Sequence, residues 1–182
     1  RVQVFTSTGT FVCAFGTFGD GPGQFTTIWG IAAEPDGKIA VTDIALNRVQ
    51  IFTSAGMMLS TVGSSGTGNG EFDQPTGIVT DADGQMIVID SGNHRGQIFD
   101  TVTTRAFLRT FGSLGTGNGL FTAAVGIAAG ISGTLWVVDN NVNVIQRFTS
   151  AGSYLLTAGS GGAGNGQFNS PVGIVTDASN TF

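Results

Sequence analysis

The sequence has few of the residues that build metal centres, disulfides and charged surfaces. Cys13 is the only cysteine and His94 the only histidine, which excludes an intrachain disulfide, a cysteine zinc site and a multi-histidine metal cluster. Charged residues make up 10% of the chain, and its seven Lys and Arg residues form no basic stripe. With a formal net charge of −5, this distribution argues against nucleic acid as a partner. No apolar run reaches the roughly 18 residues of a membrane helix, so no membrane partner is predicted.

Glycine is abundant instead, and it marks a repeat. The 30 glycines recur at fixed offsets, as expected of turns between short strands. The phrases FTTIWGIA, FDQPTGIV, FTAAVGIA and FNSPVGIV open at Phe25, Phe72, Phe121 and Phe168, with spacings of 47, 49 and 47 residues. A fixed period of about 40–50 residues is the sequence signature of stacked supersecondary units.

Each unit reads as four short strands. In the copy that begins at Phe72, apolar runs at 76–80, 85–90, 97–99 and 107–111 are separated by Gly, Asp, Asn and Ser, and no helical period is present. One such antiparallel meander cannot cover both of its faces, and radial stacking of copies hides most edges. We therefore predict an all-β protein, a β-propeller of four-stranded antiparallel blades. The first strand, with its Gly-Ile-Ala-Ala and Gly-Ile-Val-Thr phrases, is expected to line the central channel, where there is little room.

The repeat divides the chain into about 3.75 predicted blades. A partial blade at 1–24 supplies third and fourth strands, three whole blades span 25–71, 72–120 and 121–167, and a partial blade at 168–182 supplies a first strand at 173–177 and the beginning of a second at 180–182. Three interpretations stay open for the ends: a segment of a longer propeller, a chain that completes a ring by self-association, and a closed four-bladed monomer. All three predict that the chain aggregates or oligomerises, because incomplete blades expose unpaired backbone.

Several phrases resemble a known family. Pro75-Thr-Gly-Ile-Val-Thr-Asp, Val88-Ile-Asp-Ser-Gly-Asn-His-Arg and Gln97-Ile-Phe-Asp are similar to NHL repeats, the blades of propellers that commonly have six blades. The resemblance covers nearly the whole chain and is weaker in the unit that begins at Phe121. It implies a scaffold rather than a particular chemistry, because related propellers bind proteins or RNA, and a few are lyases or hydrolases.

Three motifs suggest chemistry, and each has a simpler structural interpretation that we prefer. His94 is the turn residue of an Asn-His-Arg phrase. Asp81-Ala82-Asp83-Gly84 lacks the later ligands of a calcium loop and reads as a hairpin turn, like Pro35-Asp36-Gly37 and Ser132-Gly133 in the neighbouring units. The Gly-rich linkers at 66–70, 115–119 and 162–166 precede strands, so they are turns rather than phosphate loops. We predict no metal, no cofactor and no catalytic residue.

Strand parity predicts one face on which a partner would bind. In a four-stranded meander the second-to-third loops and the blade-to-blade linkers emerge on the same side, and propellers usually bind through loops. Three aspartates close the second strands there and are expected to accept hydrogen bonds from loop backbone. The predicted partner-binding residues are Asp43, Asn47, Arg48, Asp90, Asn93, His94, Arg95, Asp139, Asn140 and Asn143.

The sequence therefore favours a non-catalytic propeller scaffold that binds a protein, peptide or glycan, or that assembles through its incomplete blades into a homo-oligomer. The alternative is a fragment of an NHL-type propeller enzyme, lyase-like or lactonase-like, whose active site needs further blades. The chain is rich in Thr, Ser, Gly and Asn and poor in Lys and Glu, and this composition favours an extracellular or cell-surface location.

Overall fold

The computed structural model describes residues 1–101, 104–130 and 133–177, and the described residues contain strands but no helix. No membrane-spanning helix is therefore found in these ranges. The strands are β1 (Val2–Phe5), β2 (Phe11–Phe15), β3 (Thr17–Phe18), β4 (Gln24–Phe25), β5 (Ile28–Ala33), β6 (Ile39–Asp43), β7 (Arg48–Phe52), β8 (Met58–Val62), β9 (Pro75–Thr80), β10 (Gln85–Asp90), β11 (Arg95–Asp100), β12 (Phe107–Phe111), β13 (Ala124–Gly130), β14 (Thr134–Asp139), β15 (Val144–Thr149), β16 (Tyr154–Ala158), β17 (Ser160–Gly161) and β18 (Gln167–Phe168).

Three four-stranded antiparallel sheets form the body of the molecule. Strands β5–β8 make blade I, β9–β12 blade II and β13–β16 blade III, each in sequential order. The sheet order confirms the predicted meander. Strands β10 and β12 begin and end at the predicted residues, whereas β11 begins at Arg95, two residues earlier than predicted. The earlier start reflects the pairing of Arg95 with Asp90 across the loop.

The first strand of each blade lies innermost, beside the first strands of its neighbours. Strand β9 contacts both β5 and β13, and the groove between them is lined by Ile31, Ile78, Ile127 and Ile174. The glycine of each first strand is required by backbone proximity. A Cβ added to Gly77 would lie 2.7 Å from the carbonyl oxygen of Val125, and one on Gly30 would lie 2.6 Å from that of Thr76. The small space predicted around the first strands is therefore explained by the close approach of adjacent inner strands.

The core lies between blades. One apolar cluster joins blade I to blade II through Ile51 and Phe99, and a second joins blade II to blade III through Ile98 and Phe148. Phe52, Phe99 and Phe148 hold equivalent positions and are almost completely buried. Each such side chain stabilises the fold by about 2–3 kcal/mol through burial, so these phenylalanines hold the blades together.

A buried ion pair adds a contact between blades I and II. Both guanidinium Nη atoms of Arg105 donate to the carboxylate of Glu34, at 2.5 and 2.7 Å, and only 1% of the Glu34 side chain is exposed. Arg105 belongs to the loop between β11 and β12, which is longer than the Thr-Ser-Ala-Gly turns at Thr53 and Thr149. The longer loop that extends the repeat in this unit therefore provides a contact between blades I and II.

The two ends differ from the predicted partial blades in one respect. Strands β1 and β2 form the predicted third and fourth strands as a two-stranded sheet, here called the N-terminal hairpin. The expected first strand at 173–177 is wrong: residues 171–177, here the C-terminal segment, lie beside β13 without strand pairing. Oγ1 of Thr176 donates to the carbonyl of Ala129 at 2.8 Å, but within the described ranges no second strand lies on its other side. The predicted strand start at 180–182 and Ser132 of the predicted turn lie outside the described residues.

Candidate functional site

The second-to-third loops of the blades and the linkers between blades form one surface, here called the loop face. Asn47 donates from Nδ2 to Oγ of Ser65, and Asn93 donates from Nδ2 to the carbonyl of Gly66 at 2.9 Å. Each of these bonds joins a second-to-third loop to the linker that leaves or enters its blade. The second-to-third loops and the linkers therefore lie on the same side of the molecule, as strand parity predicts.

The three aspartates of the predicted binding residues lie beneath this face. Asp43, Asp90 and Asp139 are completely buried. Asp43 accepts hydrogen bonds from the backbone N–H groups of Thr26 and Thr27 at 2.9 and 3.0 Å. Their predicted contact with a partner is thus corrected: a carboxylate with no exposed surface cannot contact one, and the predicted role as acceptors for loop backbone is the one observed.

Asp139 and Asp90 show the same arrangement with local differences. Asp139 accepts from the backbone N–H groups of Thr122 and Ala123 at 2.7 and 3.1 Å. Asp90 accepts from one backbone group, the N–H of Asp73 at 2.7 Å, and from three side chains of its own blade. These are Asn93 at 2.9 Å, Arg95 at 2.8 Å and Gln97 at 3.0 Å.

The fourth loop residue after each aspartate has a left-handed backbone. The φ angles of Asn47, His94 and Asn143 are 52°, 55° and 58°. Asn is one of the residues most often found in this conformation, and His is also enriched there. The prediction that His94 is a turn residue is confirmed, and its backbone N–H donates to the carbonyl of Ser91. Its Nδ1 is buried and has no hydrogen-bond partner within the described ranges.

The two asparagines also connect successive units. Oδ1 of Asn47 accepts from the N–H of Gln74 at 2.7 Å, and Oδ1 of Asn143 accepts from the N–H of Ser170 at 2.6 Å. Gln74 and Ser170 are themselves left-handed, with φ of 53° and 50°. His94 has no side-chain oxygen and makes no equivalent bond among those described, and Ala123 at the corresponding linker position donates to Asp139.

Most of the remaining predicted site residues donate to linker carbonyls. Nη2 of Arg48 donates to Gly21 and Gln24, both at 3.0 Å. Nη2 of Arg95 donates to Gly68 and Glu71 at 2.7 and 3.0 Å. Nδ2 of Asn140 donates to Pro171 at 3.0 Å. These side chains are partly buried and engaged in holding the linkers, so the loop face is a rigid surface.

Three glutamines also hold the linkers through hydrogen bonds, and they were not predicted as site residues from the sequence. The amide of each buried glutamine near the start of a third strand donates from Nε2 to a linker carbonyl and accepts from a linker glycine through Oε1. The pairs are Gln50 with Gln24 O at 2.7 Å and Gly23 N at 2.8 Å, Gln97 with Glu71 O at 2.6 Å and Gly70 N at 2.9 Å, and Gln146 with Leu120 O at 2.7 Å and Gly119 N at 2.7 Å.

The glycine-rich linkers are turns, as predicted. In three of them a backbone N–H donates three residues back: Glu71 to Gly68, Leu120 to Gly117 and Gln167 to Gly164. The phenylalanine that opens each repeat then bridges in parallel to an earlier linker residue, as Phe72 does to Ser65 and Phe121 to Leu114. The tips of these linkers, including Asn69 and Asn118, are exposed.

The opposite side of the molecule carries the predicted hairpin turn at Asp81. Oδ1 of Asp81 accepts from the N–H groups of Asp83 and Gln85 at 3.0 and 2.8 Å, and Gly84 is left-handed with φ of 76°. Burial raises the pKa of Asp81 above its ordinary value of 3.8, an effect that the hydrogen bond from Gln85 partly offsets. No group of three or more His, Cys, Asp or Glu side chains within the described ranges is placed to hold a metal ion.

Comparison with known proteins agrees with this architecture. The model of a six-bladed β-propeller family, DUF5128, matches residues 32–110. The chain has the fold of a partial β-propeller. No curated protein sequence matches it significantly. Solved structures are similar in fold at low identity. Selenomethionine-substituted virginiamycin B lyase from Staphylococcus aureus is 16% identical, with a TM-score of 0.64 over 98% of this chain and 53% of that chain.

Two further solved structures show the same likeness. A structure of streptogramin B lyase is 21% identical, with a TM-score of 0.62 over 84% of this chain and 46% of that one. A structure of U3-55K is 15% identical, with a TM-score of 0.66 over 88% and 46%. The present chain thus spans about half the length of these proteins. Identities this low establish the shared fold only.

Proposed function

We propose that this β-propeller is a non-catalytic module, built from NHL-type blades, that binds a protein or peptide through its loop face. The observation that carries the proposal is a set of large apolar side chains exposed on an otherwise hydrogen-bonded, rigid surface. Phe18 and Leu114 occupy the same position in two linkers, and 83% and 68% of their surface is exposed. Exposed apolar side chains on a rigid polar surface favour protein interaction.

The groove between the inner strands supplies a third apolar group at the same side. Trp29 lies near the start of β5, lines this groove together with Val125 and Val172, and is 48% exposed. The equivalent position in blade II is Thr76, which is buried. Tryptophan is enriched among the residues that dominate binding energy at protein interfaces, so we assign Trp29 as the main anchor.

The polar groups of the face support binding rather than acid–base chemistry. Asp43, Asp90 and Asp139 are buried and accept hydrogen bonds from linker and loop groups. Arg48 and Arg95 hold linker carbonyls. Groups that hold loops in this way preorganise a surface for recognition, because little conformational entropy remains to be lost on binding.

Selection of peptides from a displayed random library against the immobilised chain tests the proposal. We expect selected peptides to bind the wild type, and Trp29→Ala to weaken them by about tenfold or more. Leu59→Ser is the matched control, because Leu59 is exposed on the outer strand β8 and lies away from the loop face. Equal binding to Trp29→Ala, or equal loss with Leu59→Ser, would contradict the proposal. If no peptide binds, a glycan array tests for a glycan partner instead. Conversion of quinupristin, the ligand in a structure of catalytically inactive virginiamycin B lyase with a similar fold, would favour an enzyme.

A further inference from the structure

We propose that Asn69 and Asn118, at the tips of two linkers on the loop face, are sites of spontaneous deamidation, and that the buried glutamines Gln97 and Gln146 set its rate. Each reaction converts a neutral amide into a carboxylate and so adds one negative charge to the loop face. The inference rests on the chemistry of the Asn-Gly dipeptide and on the geometry of the linkers, and it does not depend on the proposed partner binding.

The reaction needs only the dipeptide and water. Asn69 precedes Gly70, and Asn118 precedes Gly119. The backbone nitrogen of the glycine loses its proton and attacks Cγ of the asparagine, which closes a five-membered succinimide ring. The Cγ–Nδ2 bond breaks, and the departing group takes up a proton and leaves as ammonia. Water then opens the ring at either carbonyl to give aspartate or isoaspartate. Asparagine is among the thermolabile residues, and a following glycine has no side chain to obstruct the ring.

Both asparagines are accessible to water. Their side chains are exposed at the linker tips, whereas the glycines that follow them are half-buried. Asn118 accepts a long hydrogen bond from Oγ1 of Thr157 at 3.4 Å, which holds its side chain only weakly. Exposure of the side chain alone therefore does not protect either site, and protection has to come from the backbone.

The turn at each linker tip opposes ring closure. A backbone hydrogen bond of 3.1 Å spans each Asn-Gly pair, from Glu71 N to Gly68 O and from Leu120 N to Gly117 O. Gly70 and Gly119 have φ of 78° and 76°, whereas neither asparagine has a positive φ, as in a type II turn. Such a turn holds ψ of its first central residue near about +120°, which keeps the glycine nitrogen away from the asparagine Cβ. A succinimide needs these two atoms on the same side of the Cα–C bond, so the turn must open before the ring can form.

The buried glutamines hold the reacting nitrogens. Oε1 of Gln97 accepts from the N–H of Gly70 at 2.9 Å, and Oε1 of Gln146 accepts from the N–H of Gly119 at 2.7 Å. Both glutamines are almost completely buried, so water does not compete for these bonds. The proton that has to leave before attack is the one held in this bond. Deamidation therefore waits for local opening, and its rate follows the population of the open state.

The linker before blade I has the same geometry without the reactive residue. Pro22 stands where the two asparagines stand, Gly23 has φ of 75°, and the N–H of Gly23 donates to Oε1 of Gln50 at 2.8 Å. Proline is favoured at the first central position of a type II turn. Substitution of Asn69 by proline is therefore compatible with the turn and with the glutamine bond, and it supplies a matched control.

Peptide mapping by mass spectrometry after incubation at mildly alkaline pH tests the proposal, because alkaline pH favours loss of the glycine N–H proton. We expect aspartate and isoaspartate at both sites of the folded chain. They should form at least about tenfold more slowly than in the same chain unfolded in urea, because the folded chain reacts only through its open state. Gln97→Met should raise the rate at Asn69 by about fivefold or more and leave Asn118 unchanged, since it removes one buried hydrogen bond. Gln146→Met should do the reverse.

Each site is the control for the other, because global unfolding would accelerate both. Hydrogen exchange of the Gly70 and Gly119 amides gives a second readout, and each should exchange faster in the variant of its own glutamine. Asn69→Pro should abolish the product at residue 69 and leave the rate at Asn118 unaltered. Absence of product at both sites, equal rates in the folded and unfolded chain, or equal acceleration of both sites by one glutamine substitution would each overturn the proposal.

Discussion

At the scale of single residues, the Asp90 carboxylate combines extensive hydrogen bonding with an ion pair to Arg95. It is completely buried and accepts from Asp73, Asn93, Arg95 and Gln97. Asp90→Ala leaves the Arg95 guanidinium without its carboxylate, and breaking a buried pair in this way costs about 3–5 kcal/mol. We expect the free energy of unfolding, measured by urea titration, to decrease by about 3 kcal/mol, the lower end of this range. Asp83→Ala, at an exposed acid, should change it by less than about 0.5 kcal/mol. Similar losses from both substitutions would contradict the assigned role.

A second prediction at this scale concerns pH. Burial raises the pKa of Asp81 above 3.8, so the native state holds this proton more tightly than the unfolded chain does. The contribution of Asp81 to stability is therefore greatest at low pH and declines as pH rises from about 3.8 through the native-state pKa. We expect the free energy of unfolding of the wild type, minus that of Asp81→Asn, to fall across this window and to be level above it. A difference that is constant or rises with pH would contradict the prediction.

Residue chemistry also explains which parts of the site were predictable. Asn47, His94 and Asn143 lie in a left-handed turn that their residue types and loop position indicate. An aspartate at a strand end predicts an acceptor for loop backbone, and that role is observed for Asp43, Asp90 and Asp139. Their burial was not predictable, because the linker that covers each one comes from about 17 residues earlier in the chain. The glutamine bonds span 26 or 27 residues and were missed for the same reason.

At the scale of the strand, the inner glycines provide a matched comparison. A Cβ on Gly126 would lie 2.3 Å from the carbonyl oxygen of Val172, whereas the equivalent Gly173 has nothing within 4 Å. Gly126→Ala must push the C-terminal segment away from β13, and overpacking of this kind costs about 1–3 kcal/mol. Gly173→Ala should change the free energy of unfolding by less than about 0.5 kcal/mol. Thermal denaturation of both variants measures the difference, and equal effects would show that the inner strands are not tightly apposed.

Strand positions were predictable because apolar runs and turn residues alternate in every unit, and β10 and β12 coincide with the predicted residues. The segment at 173–177 carries the same phrase as β9 yet forms no strand. A strand is defined by its partners, and local sequence specifies only one side of that pairing. The Arg105 contact with Glu34 likewise joins residues 71 positions apart, which no local pattern indicates.

At the scale of the whole molecule, a chain of stacked units is stabilised by each blade and by its contacts with the next. Blade II is covered on both faces, whereas the N-terminal hairpin packs, among the residues described, against blade I alone through Val2 and Phe15. Stability should therefore be higher in blade II than in the N-terminal hairpin. We expect backbone amides of β10 to exchange with deuterium most slowly and those of β1 and β2 most rapidly, because exchange reports local opening. A uniform exchange rate across β1, β2 and β10 would contradict this gradient, because it would show that the strands open together rather than locally.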